Sequence, residues 1–369
     1  MSLSSNTTLR LVRTCRRCQQ HLRGGSACDV DLIERQTIAL TDEVLVGVRL
    51  TVACRTMIAF PHRIHCPSKA TNRRTRILGS PTAMKIQDFR KRQQMHSLEG
   101  LIDSPLQIAA TDVGDGDAVA LLHGIPTWSF LFHEVIDPLA EHFRVVAPDM
   151  AGYGYSDRRD RFDRSIEFQA DVIESLLDEM GVDRAHFVAH DIGGGVALIL
   201  ADRRPELVRS MVLSNSVAYD SWPVDEMLAL GHPRNAQLSR EEMTDKLVES
   251  FQFGLSRKER LTDEFKEGII APYQEPEGIV SLVRNAASLN TNQTTPLTHR
   301  LHKMQQSTLL LWGEDDRWQP IDTAERLVKD LPNAELHPMR NCSHWTPQDN
   351  PDEFVSETLR FLQATPVAV

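Results

Sequence analysis

From about residue 98 to residue 365, short apolar runs alternate with turns and with stretches of helical period. Residues 106–110 read as a strand, 114–117 as a tight turn and 118–122 as a strand buried on both faces. A helix is predicted over 130–141, with Phe130, Leu131, Val135, Ile136 and Leu139 on one face. A strand follows over 143–147 and an amphipathic helix over 166–180. The apolar run 186–190 reads as a strand entering a Gly-rich turn, and 196–201 as the helix that leaves it. Residues 208–214 form another strand. The rhythm then breaks: 217–302 are polar and helix-like, with Trp222, Met227, Leu228, Leu230, Phe251, Phe253 and Tyr273 scattered through them. It resumes with strand 308–312, helix 323–329, strand 334–338 and a final helix. There Asn350 can cap, Pro351 suits the first turn, and Asp352 and Glu353 complement the helix dipole.

Buried strands alternating with helices predict a mostly parallel, doubly wound α/β sheet covered on both faces. Ligands in such sheets sit outside the carboxyl ends of the strands. The break assigns 217–302 to a helical cap, and 84–216 with 303–369 to the core.

Charge separates the first 83 residues from the rest. They carry 13 Lys/Arg against 5 Asp/Glu, a balance of +8, while the remainder carries 28 against 46, or −18. An acidic body argues against nucleic acid as a partner. Five Cys (15, 18, 28, 54 and 66) lie in the basic segment and only Cys342 in the body, so the body does not depend on disulfides, which suits the cytoplasm. Cys15, Cys18, His21 and Cys28 hint at zinc, yet Cys54, His62, His65 and Cys66 supply no second half at the usual spacing. The Arg-rich start is similar to a mitochondrial transit peptide. The simpler expectation for 1–83 is a disordered extension, or sequence upstream of a natural start at Met84. The longest apolar stretch, 44–54, is interrupted by Arg49, so neither a membrane span nor a membrane partner is expected.

Chemistry concentrates at the ends of predicted strands. In Ala189-His190-Asp191-Ile192-Gly193 a small residue stands two before and two after Asp191, at a strand–turn–helix junction. A nucleophile elbow needs this pattern, because its strained turn has no room for large neighbours. The occupant is a carboxylate rather than the usual Ser. Trp312-Gly313-Glu314-Asp315-Asp316 follows the first strand beyond the break, and Asn341-Cys342-Ser343-His344-Trp345 follows the last strand. Asp191, Asp316 and His344 thus stand in nucleophile–acid–His order. Asp316 is preferred because it ends a Gly-x-x-Asp pattern, with Asp315 the alternative. After strand 208–214 the chain has Ser214-Asn215-Ser216, with no carboxylate.

This arrangement resembles the α/β-hydrolase superfamily over roughly 98–365. His190-Asp191-Ile192-Gly193 and His123-Gly124-Ile125-Pro126-Thr127-Trp128-Ser129 resemble its aspartate-nucleophile branch, the epoxide hydrolases and haloalkane dehalogenases. The resemblance implies an α/β-hydrolase fold with the cap inserted after the sixth strand. It also implies Asp191 as nucleophile, Asp316 as orienting acid, His344 as base, and the backbone N–H groups of Ile125 and Ile192 as oxyanion hole. A carboxylate attacks saturated carbon bearing a leaving group and forms an alkyl ester, which His-activated water then cleaves.

A departing halide needs N–H donors, and neither Ile192 nor Ile125 has a side chain that donates. An epoxide needs acid groups, for which Tyr219, Tyr273 and His232 are available, His232 with Tyr273 being the best pair. Epoxide hydrolysis is therefore the expected reaction and haloalkane dehalogenation the alternative; a non-catalytic binding relative is the competing class. The expected substrate is a small apolar or moderately polar organic molecule, with water and no cofactor or metal. Trp128 is a further candidate for substrate contact. His123 is expected to order its own loop, His190 to be structural, and Gly194 and Gly195 to allow close helix–strand approach.

Overall fold

Residues 84–365 are described by a computed structural model; the zinc, transit-peptide and disorder expectations for 1–83 fall outside the described residues. The eight strands are β1 (Gln93–Leu98), β2 (Leu106–Val113), β3 (Ala118–Leu122), β4 (Arg144–Pro148), β5 (Ala185–His190), β6 (Val208–Ser214), β7 (Ser307–Gly313) and β8 (Ala334–Met339). They form one sheet in the order β1-β2-β4-β3-β5-β6-β7-β8. β2 pairs antiparallel with both β1 and β4, and all other pairs are parallel. β3 and β5 are buried at every position, as strands covered on both faces must be.

The helices of the first half are α1 (Ile86–Arg92), α2 (Ile136–Ala140), α3 (Ile166–Glu179) and α4 (Ile192–Arg203). α1 and β1 precede the region where the sequence pattern became regular. β1 is an edge strand with little apolar alternation, and Met95 on it is exposed. The helix expected over 130–141 divides into a 3-10 turn, Ser129–Phe132, and the short α2. Pro138 explains the division: with no N–H it belongs in a first turn, so the helix starts only two residues before it. Ser165 caps α3 by accepting from the Phe168 N–H.

Between β6 and β7 the described chain has no strand. It forms α5 (Asp225–Leu230), α6 (Arg240–Gly254), α7 (Asp263–Ile270) and α8 (Pro276–Ala287), joined by 3-10 turns. Polar ties anchor this helical segment to the loops at the strand ends. Trp128 Nε1 donates to the carbonyls of Gly268 and Ile269, Tyr273 Oη to the Pro126 carbonyl, and Asn285 Nδ2 to the Gly152 carbonyl. The chain closes with α9 (Ile321–Asp330), α10 (Thr346–Asp349) and α11 (Pro351–Ala364). Asn350 does precede α11, but its amide donates to Glu353 instead of capping. Among the described residues no helix is long and apolar enough to cross a membrane.

Candidate active site

Six loops leave the carboxyl ends of β3 to β8 on one edge of the sheet, and five of them build one site. β5 ends at His190, and α4 begins at Ile192, so the whole reversal falls on Asp191. It takes φ 53° and ψ −122°, a strained conformation for any residue but Gly. The turn is possible because its neighbours are small. A Cβ on Gly193 would lie 2.5 Å from the Leu122 carbonyl oxygen, and one on Gly124 would overlap the Asp191 side chain. The close helix–strand approach expected at Gly194 and Gly195 is present too, against Ser216 for the first and Ile166 and Val217 for the second, while Gly193 meets the Leu122 backbone itself.

Asp191 Oδ1 accepts the Ile125 N–H at 2.9 Å, while Oδ2 lies 3.7 Å from His344 Nε2. His344 Nδ1 meets Asp316 Oδ2 at 2.8 Å. All three side chains are buried. Asp316 Oδ1 takes the N–H groups of Trp318 (2.8 Å) and Gln319 (3.1 Å), and Oδ2 takes the Asn215 amide at 2.7 Å. Each lone-pair direction of this carboxylate is thus used, which fixes the imidazole it faces. Asp315, in contrast, is exposed and accepts from Ser256 Oγ.

Burial pushes the Asp191 carboxyl up, opposed by the charge of His344 and the N–H groups of Ile125 and Ile192. Burial also works against a charged His344, but the charge and hydrogen bond of Asp316, with Asp191 beyond, outweigh it and raise its pKa. His190 stands 4.9 Å from His344 between ring centroids, and burial keeps it neutral by lowering its pKa well below the ordinary value. His123 accepts the Met150 N–H at Nε2 and donates from Nδ1 to the Gly124 carbonyl, so it does order its own loop. Burial holds its pKa down at about 4.

A cavity of about 30 Å³ opens on Asp191 and His344, walled by Ile125, Ile192, Val217, Trp222, Leu289 and Trp318. The four leaving-group candidates are not brought to it. His232 is exposed and accepts from the Arg234 N–H. Tyr219 Oη donates to Asp330 and its ring carries Arg326. Tyr273 and Trp128 spend their donors on backbone carbonyls, as described above. The residue that sequence reasoning missed is Trp318. It stands edge-on to His344 at 5.1 Å, and its indole N–H is buried with no partner among the described residues. Its place two residues after Asp316 was the only available signal. Among the described residues no His, Cys, Asp and Glu cluster could hold a metal.

A mostly parallel sheet whose strand ends deliver a strained acidic elbow, a second acid and a His is the frame of a hydrolase built on an α/β sheet. The chain belongs to the alpha/beta hydrolase fold family, whose sequence model matches residues 117–351. It is 28% identical over 264 residues to 2-hydroxy-6-oxo-6-phenylhexa-2,4-dienoate hydrolase of Burkholderia cepacia, covering 70% of this chain and 92% of that protein. It is also 28% identical over 288 residues to haloalkane dehalogenase 2 of Mycobacterium tuberculosis, covering 73% and 96%. A crystal structure of an alpha/beta hydrolase fold protein from Burkholderia ambifaria superposes with a TM-score of 0.67 at 25% identity, covering 72% and 97%.

Proposed function

We propose that the protein hydrolyses a carbon–halogen bond through an alkyl ester of Asp191. The observation that carries this reading is the division of labour between the two oxygens of Asp191. Oδ1 is held by the Ile125 N–H at 2.9 Å, which leaves Oδ2, on the His344 side, to attack. Attack on the substrate carbon expels the leaving group and makes Oδ2 the ester oxygen. His344 then takes a proton from water, which adds to the Asp191 carboxyl carbon. The oxyanion formed is Oδ1, already held by the Ile125 N–H, with the Ile192 N–H also acting on the Asp191 carboxyl. Collapse breaks the bond to Oδ2, His344 returns its proton to the departing alkoxide to give the alcohol, and Asp191 is left with one oxygen from water and loses its carboxyl proton to solvent. Asp316 holds the imidazole and stabilises its charge, and the helical segment 217–302 serves as the cap that excludes bulk water.

The leaving group decides between halide and epoxide. A halide departs as an anion and takes an N–H donor, and Trp318, whose side chain borders the cavity, has a buried indole N–H with no partner among the described residues. An epoxide oxygen takes a proton, which an indole cannot give. The haloalkane dehalogenase relative points the same way, so halide replaces epoxide as the favoured leaving group.

Intact mass of His344→Gln incubated separately with haloalkane and epoxide panels tests the reading. A gain equal to the haloalkane minus HX, mapped to Asp191, is expected. A gain equal to a whole epoxide would transfer the assignment to epoxide hydrolysis. No adduct from either panel, with wild type also inactive on both, would overturn the alkyl-ester mechanism.

A further inference from the structure

The cavity at Asp191 is too small for an organic substrate. About 30 Å³ is room for roughly two waters, whereas ligand pockets begin near about 300 Å³. A second cavity of about 310 Å³ continues it: Pro126, Met227, Ser250 and Trp318 line both. Its remaining apolar wall comes from α5 and α6, with Leu230 and Leu247 buried at its base. Phe253, part of its lining, is 44% exposed. A large apolar group left open to water in a cavity lining is surface that an apolar ligand covers. The charged groups here, Glu226, Lys246 and Glu249, are all exposed, so a chain seated on the apolar wall buries none of them.

We infer that the outer cavity is a subsite for an uncharged apolar chain, and that the substrate is elongated, with its reactive end passing Trp318 to reach Asp191. The inference takes the identity of the reactive end from the alkyl-ester reading, but seating of the chain requires no reaction. The substrate class that follows is a terminally functionalised molecule with an unbranched apolar tail, rather than a compact one.

Unreactive n-alkanols separate the two readings. Calorimetric titration of the full-length protein with n-butanol, n-hexanol and n-octanol is expected to show affinity rising about fourfold for each added methylene. Ala229→Trp and Glu249→Trp each put bulk into the outer cavity from an exposed position. Both should flatten the series while leaving the circular dichroism spectrum unchanged. A flat series in wild type would overturn the subsite, and so would an unaltered slope in both variants. Because no alkanol can alkylate Asp191, these outcomes stand whatever the mass experiment on His344→Gln returns.

Discussion

The Asn215 amide donates to Asp316 Oδ2 at 2.7 Å, the same oxygen that faces His344 Nδ1 at 2.8 Å. Asn215 directly follows β6, accepts the Gly313 N–H of β7 at 3.2 Å, and so ties two strand ends to the acid loop. Its φ of 44° lies in the left-handed region, where Asn is better tolerated than most side chains. Asn215→Gly keeps that backbone and deletes the amide. Asp316 then loses a donor that shares its charge, and His344 becomes easier to protonate. The acid limb of the pH–rate profile should shift upward, with a rate loss corresponding to about 1.5–3 kcal/mol. Asn215→Ala should show the same shift plus a stability loss of about 1 kcal/mol from the positive φ, read by thermal melts.

The two steps of the reaction should titrate differently. Alkylation needs Asp191 ionised, so its rate falls as pH drops through a carboxyl pKa raised by burial. Hydrolysis needs His344 neutral. In the ester Asp191 has lost its charge, one of the effects that raise the His344 pKa. Single-turnover hydrolysis should therefore lose activity at a lower pH than the one at which His344 protonates in the free enzyme. Stopped-flow rates against pH, set beside the NMR titration of His344, check this. Coincident values would remove Asp191 from direct electrostatic contact with the base.

Trp318→Phe retains a ring beside His344 and Trp345 but removes the indole N–H. If that donor receives the leaving anion, the alkylation rate should fall about 10- to 100-fold, the value of a hydrogen bond to a charged group. Ester hydrolysis and the melting temperature should barely change. Equal losses in both steps would show that Trp318 acts by packing.

Asp349 accepts three backbone N–H groups: Ser343 at 2.7 Å, Arg257 at 2.8 Å and Ser256 at 3.1 Å. It thereby joins the end of α6 to the residue before His344. Asp349→Ala leaves those donors without a partner and should cost about 3 kcal/mol or more in urea unfolding. Asp315→Ala, on an exposed carboxylate, should stay within about 0.5 kcal/mol and leave activity unchanged.

By itself the sequence determined the α/β rhythm, the break after β6, the elbow at Asp191 and the stations of the acid and the His. These are local matters: period, glycine spacing and order along the chain. β1 escaped because an edge strand paired on one side needs little apolar alternation, and α2 was shortened by a proline already visible at 138. The Gly-x-x-Asp pattern already preferred Asp316 to Asp315, and tertiary structure gives the reason: Asp316 meets Asn215 and His344 while Asp315 faces solvent. Tertiary structure alone decided the fates of His232, Tyr219, Tyr273, Trp128 and Trp318. Whether a hydroxyl or an indole N–H is free depends on partners many residues away, such as the Gly268 carbonyl for Trp128 and the Pro126 carbonyl for Tyr273. Helix packing chooses those partners, and no local pattern encodes the choice.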